Sequence, residues 1–132
     1  MVATAAIKGM SLIRRAGSKA FAKSKHFTPP VDIKKIAEYA APVTSMGNQT
    51  GEGWLLTGEI LELVHGSVPN VICIQPFACL PNHIVGKGVI KEIKRQYPQA
   101  NIVAIDYDPG ASEVNQLNRI KMMLTTAKRN MV

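Results

Sequence analysis

The chain has 132 residues, 46% of them hydrophobic and 19% charged, which suffices for one folded domain without disulfide or metal support and excludes wholesale disorder. The net charge of +7 lies ahead of Ile36, where Lys8, Arg14, Arg15, Lys19, Lys23, Lys25, Lys34 and Lys35 face only Asp32. The remainder is neutral and poor in aromatic residues, which argues against a nucleic-acid partner, and no apolar run approaches a membrane span.

The opening stretch "MVATAAIKGMSLIRRAGSKAFAKSK" reads as an amphipathic basic arm. Met10, Ile13, Gly17, Ala20 and Phe21 share one side, and Arg15, Lys19 and Lys23 recur at i, i+4 spacing on another. An acid-free stretch containing Arg and Ser also reads as an organellar presequence. Pro29 and Pro30 interrupt the chain, so the expected division is an arm over residues 1–30 and an α/β module over 31–132. Beyond the prolines a short helix is predicted with Ile33, Ile36, Ala37 and Ala40 inward.

"VTSMG" after Pro42 is a short strand candidate, and "GWLLTGEILELVHG" a helix ended by Gly66 in a C-cap position. "NVICIQ" has no polar alternation among its central residues, the pattern of a strand buried on both faces in a parallel sheet. A helix over "HIVGKGVIKEIKRQYP", a strand over "ANIVAIDYD" and a helix over "ASEVNQLNRIKMMLTTAK" follow, the last with Val114, Leu117, Ile120 and Leu124 inward. The order β-α-β-α-β-α predicts a small Rossmann-like, doubly wound parallel sheet of three to four strands flanked by helices.

Parallel strands deliver their exit loops to one edge, the edge where open α/β sheets bind ligands. Those loops are "SMGNQTGEG", "QPFACLPNH" and "DYDPGASEVNQ", which places Asn48, Gly51, Glu52, Gly53, Pro81, His83, Asp106 and Asp108 along the candidate ligand-binding edge. The glycine loop matches neither a P-loop nor a dinucleotide fingerprint; what it offers is backbone amides leading into a helix, or glycines required by turn geometry. Asp106 and Asp108 are two residues apart and suit acid–base or cation chemistry, while Asp108-Pro109-Gly110 equally suits a turn. His83 at a helix start reads as a cap, a surface residue or a neighbour of Cys79.

The chain has two cysteines and no secretory pattern, which points to a reducing, cytoplasmic setting. Cys73 lies within the apolar run and reads as core. Cys79 stands at the strand's exit between Pro76 and Pro81, shortly before a helix, where a thiolate is favoured over a thiol. Three readings stay open for it: a turn residue, one ligand donated to a metal centre, or a nucleophile. With Cys73, Cys79, His26, His65 and His83 as its whole stock of thiols and imidazoles, the chain cannot assemble a four-thiolate cluster or a closed zinc site alone.

Read together, "SMGNQTGEGWLLTGEI" and "QPFACLPNHIVGKGVIKEIKRQYPQANIVAIDYDPGASEVNQLNRIKMML" resemble the C-terminal region of the large activase-like proteins related to 2-hydroxyacyl-CoA dehydratases, the CoA-substrate-specific enzyme activase family. The resemblance runs without gaps from about Lys19 to Thr126. It implies a module of a two-part system, in which an ATPase carrying an iron–sulfur cluster passes electrons to a dehydratase-like component that itself holds iron–sulfur through cysteines. The family's candidate cluster cysteine falls on Cys79, and none falls on Cys73. At position 78 the family more often has glycine; here Ala78 stands, and a positive φ at that position would strain the turn.

The ATPase fold and the upstream cysteines of such proteins are absent from this sequence, so the implied role is a cluster ligand at Cys79 shared with other domains rather than catalysis by this chain alone. The expected partners are the remaining domains of a parent protein or an activator ATPase, with a CoA ester and a second copy of the chain as further candidates. The rival readings are a binding module for CoA or another phosphate-bearing ligand without metal, and a purely structural assembly domain.

Overall fold

Two runs rich in β-branched residues supply the only strands among the described residues, which in this computed structural model are Val2 to Asn130. β1 (Asn70–Gln75) and β2 (Asn101–Asp106) pair in parallel, with Val71 opposite Ile102 and Cys73 opposite Ala104. Helix α3 (Trp54–His65) lies on one face, where Ile60, Leu61 and Val64 meet Val71, Cys73, Ile93, Ala100 and Ile102 in the core. Helix α5 (Glu113–Arg129) lies over β2, tied to it by Asn101 Nδ2 donating to the Met123 carbonyl at 2.9 Å and by Arg119 Nη1 donating to the Ala104 carbonyl at 3.2 Å.

The doubly wound sheet of three to four strands expected from the sequence is therefore not formed: the described residues make a mixed α/β unit with a two-stranded sheet. The absent member is the "VTSMG" segment. The amides of Val43 and Thr44 both donate to the Ala40 carbonyl at 2.9 Å, so the chain leaves α2 (Ile33–Ala40) in further turns instead of extending. The β-branched stretch there ends after Val43 and Thr44, and the Ser45 hydroxyl then accepts from the Gly47 amide at 3.1 Å, a local turn that competes with strand pairing.

Two further expectations change with the strand count. β1 is buried on one face only: Val71, Cys73 and Gln75 are inside, whereas Ile72 and Ile74 are 44% and 48% exposed. On α5 the residues turned inward are Met123 and, half-buried, Ile120 and Gln116; Val114, Leu117 and Leu124 are exposed. Both follow from α5 sitting over β2, which leaves the same face of β1 uncovered. Within α2, Ala40 is buried and Ile33 is exposed.

The expected single helix after β1 is two pieces. Asn82–Lys87 is a π-helical segment, its wide turn closed by the Gly88 amide donating to the His83 carbonyl at 2.9 Å, and α4 (Ile90–Gln96) follows. Gly66 ends α3 with φ −75°, and the left-handed conformation falls on Ser67, at φ 64°. On α4, Glu92 accepts from Arg95 Nε at 2.9 Å, from Arg95 Nη2 at 2.6 Å and from Gln96 Nε2 at 2.8 Å. The Arg95 and Gln96 hydrogen bonds hold its carboxyl down to about 2. A depressed carboxyl stabilises the fold above its unfolded value of about 4.3 and loses that contribution as pH falls toward about 2. The urea midpoints of the wild type and Glu92→Gln, distinct at neutral pH, are expected to converge across that window; a constant gap down to the lower end would contradict the assignment.

The residues up to Asp32 form a unit separate from those from Ile33 onward. Its body is α1 (Val2–Phe21), a helix with no buried residue. Phe21 and Phe27 meet edge to face at 6.5 Å, and Arg14 Nη1 pairs with Asp32 Oδ2 at 2.9 Å. No helix among the described residues is long and apolar enough to cross a membrane.

Candidate functional site

The carboxyl end of β1 is where the loop chemistry gathers. Leaving Gln75, the chain turns through Pro76 to Cys79, and the Cys79 amide donates back to the Pro76 carbonyl at 3.2 Å. Closing this turn places Ala78 at φ 54°, in the left-handed region that disfavours a Cβ. The strain foreseen for alanine here is thus present. Ala78→Gly is expected to stabilise the protein by about 1 kcal/mol, raising the melting temperature by about 4 °C, without altering the far-ultraviolet circular dichroism spectrum.

The half-buried Cys79 thiol donates to Asn82 Oδ1 at 2.8 Å, and Asn82 Nδ2 in turn donates to the Ile74 carbonyl at 2.7 Å. Asn82 thereby fixes the thiol to the end of the strand, a role sequence reasoning passed over although its position three residues after Cys79 at a helix start was visible. His83 is exposed, and its Nδ1 lies 2.8 Å from the Cys79 carbonyl, so it braces the turn's backbone rather than the thiol.

Cys73 has the opposite environment. It is buried, its Sγ accepts from Gln75 Nε2 at 3.1 Å, and burial pushes its thiol upward. A Cβ placed on Gly86 would fall 2.9 Å from its Sγ, which shows how tightly the π-helical segment closes over it. Gln75 is buried with it, and its Oε1 has no partner among the described residues.

The glycine loop meets the cysteine loop through Pro81. Gly51 has φ 60°, and a Cβ there would stand 2.8 Å from Pro81 Cγ. Asn48, Thr50 and Gly53 join Leu80, Pro81, Ile84 and Val85 around a cavity of about 90 Å³. The buried Thr57 hydroxyl holds the far side by donating to the Val85 carbonyl at 2.6 Å. The amides leading into α3 are engaged within the loop itself: Gly53 donates to the Thr50 carbonyl, Trp54 to Asn48, Leu55 to Glu52 and Leu56 to Gly53. Glu52 is exposed, and its charge, with that of Glu62, adds to the burial that raises the Glu59 carboxyl.

The third loop forms its own recess. Asp106 and Asp108 line a cavity of about 260 Å³ with Ser112, Asn115, Gln116 and Arg119, none of which borders the first cavity. Asp108 Oδ1 accepts from the Gly110 amide at 2.9 Å, the turn role expected for it, and Ser112 caps α5 by accepting from the Asn115 amide. Lys87 links the two regions, its Nζ 3.7 Å from Asp106 Oδ1. The structure thus joins Asn48 and Gly53 to Pro81 around one cavity, with Gly51 close against Pro81, and keeps the aspartates at another.

Among the described residues no group of three His, Cys, Asp or Glu side chains could hold a metal ion. Cys79 therefore fits an iron–sulfur centre only as a single donated ligand. Compared with known proteins, the chain matches no family model, no curated protein and no solved structure.

Proposed function

We propose that this chain is a C-terminal module of a 2-hydroxyacyl-CoA dehydratase or activase-type system, and that Cys79 is one thiolate ligand of an iron–sulfur cluster completed by other domains. The observation that carries the reading is the contrast between the thiols: Cys79 sits half-buried at the strand exit with its sulfur held by Asn82, and Cys73 is sealed in the core with its thiol pushed up. A cluster supplies one-electron transfer when bound. The chain's own part is to present the half-buried Cys79 at the strand exit, where the proton the thiol donates to Asn82 is given up as the thiolate binds, and His83 braces the turn that carries it.

The deciding experiment is anaerobic reconstitution with iron and sulfide in the presence of the partner domains. Cys79→Ser is expected to abolish the cluster's visible absorbance and Cys73→Ser to retain it. Equal behaviour of the two variants would defeat the assignment.

A second reading, a ligand-binding module without metal, draws support from the cavity between the glycine loop and Leu80, Pro81, Ile84 and Val85. Its volume of about 90 Å³ suits a short acyl group and is too small for the nucleotide part of CoA, and the α3 amides that would meet a phosphate are already committed. The donated-ligand reading is therefore preferred.

A further inference from the structure

β1 is an edge strand with an unused side. The Asn101 amide donates to the Pro69 carbonyl and the Tyr107 amide to the Gln75 carbonyl, and the register pairs Asn70 with Asn101 through Gln75 with Asp106. In a parallel ladder this commits Val71, Cys73 and Gln75 to β2 and turns the backbone N–H and C=O groups of Asn70, Ile72 and Ile74 outward. Of these outward groups, among the described residues, only the Ile74 carbonyl has a partner, accepting from Asn82 Nδ2 at 2.7 Å and from Gln75 Nε2 at 3.3 Å.

The same residues carry an open apolar face. Ile72 and Ile74 are close to half exposed, and the neighbouring helix adds Leu117 and Leu124, also exposed. Arg119, Met122 and Thr126 of α5 border a recess with Ile102 and Val103 of β2 and no β1 residue. Leu117 and Leu124 lie on the opposite flank of α5, the flank toward β1.

A free ladder edge beside an apolar face specifies a strand as occupant, since only extended backbone satisfies alternate N–H and C=O groups in a row. The spacing also makes this edge self-complementary. With a two-fold axis at Ile72, two β1 strands run antiparallel: Ile72 exchanges both bonds with its counterpart, and the Ile74 amide meets the Asn70 carbonyl of the other copy. The Ile74 carbonyl keeps its bond from Asn82. Ile72 and Ile74 of both copies then cluster on one face between the two α5 helices, and every contact occurs twice, as an isologous interface requires. We propose that the chain forms a two-fold homodimer by antiparallel pairing of its β1 edges about Ile72. This does not depend on the role given to Cys79.

Sedimentation equilibrium of the full chain is expected to show reversible monomer–dimer association, abolished by Ile72→Lys, which places a charge on the axis at an exposed position and leaves the fold intact. Amide hydrogen exchange gives an independent reading in the wild type. In the dimer the Ile72 and Ile74 amides become protected with rising protein concentration, while those of Val71 and Cys73, already in the ladder, stay protected throughout. A chain that remains monomeric at all concentrations overturns the proposal, as does a dimer that survives Ile72→Lys or leaves the Ile72 and Ile74 amides exchanging freely.

Discussion

Gly53→Ala is expected to cost about 3 kcal/mol or more, although it adds one methyl group. Gly53 adopts φ 53° and ψ −133°, where side chains meet their own backbone, and a Cβ built there would lie 2.0 Å from the Asn48 carbonyl oxygen and 2.9 Å from Gln49 Cα. Backbone cannot rotate away as a flexible side chain can. The Asn48 carbonyl also accepts the Trp54 amide at 2.8 Å, so relief of the clash breaks the bond that starts α3. Trp54 is the chain's single tryptophan, which makes the loop its own reporter. Urea unfolding gives the loss in stability, and the native emission spectrum of Gly53→Ala is expected to shift before any denaturant is added. A variant with wild-type stability and emission would show that the loop does not need this conformation.

Leu61→Ala is the matching test of the core, with an expected loss of about 3 kcal/mol. Leu61 is fully buried on α3 among Ile60, Val64, Val71, Cys73, Ile93, Ala100 and Ile102, so truncation removes apolar burial and leaves a void bounded by a helix and both strands. The urea midpoint is expected to fall by about 2 M with an unchanged slope. Unlike Gly53→Ala, the native emission of Trp54 should stay as in the wild type. A loss below about 1 kcal/mol would mean that α3 is not the principal cover of this sheet face.

The strands β1 and β2 and the helices α3 and α5 were legible because each rests on a local signal: β-branched runs and helical spacing. The "VTSMG" segment was misread because its fate is decided by the Ala40 carbonyl, which captures the amides of Val43 and Thr44, a competition that composition does not display. The inward face of α5 was misassigned for a related reason. Apolar spacing indicates that a helix has a buried stripe, but once the sheet has two strands the stripe settles over β2 on Met123 and Ile120, and Val114, Leu117 and Leu124 are left outside.

At the site, the burial of Cys73 could be anticipated from its place in the apolar run, and the strain at Ala78 only from the glycine that the resemblance puts at that position. The approach of Gly51 to Pro81 was not legible from strand topology, because a turn and not a strand precedes the glycine loop. The tether from Asn82 to both the Cys79 thiol and the Ile74 carbonyl could not be anticipated, because it depends on the π-helical turn that sets the asparagine's direction.

That turn carries one residue more than an α-helix would accommodate. Each residue of an α-helix subtends about 100°, so excising one from Asn82–Lys87 would fuse the segment with α4 into an uninterrupted rod and swing its leading end through that angle. Pro81 would leave its seat against Gly51, and Asn82 would lose the reach that couples sulfur to strand. The surplus residue thus works as a fixed angular offset, by which a helix packed under one constraint presents its first residues under another.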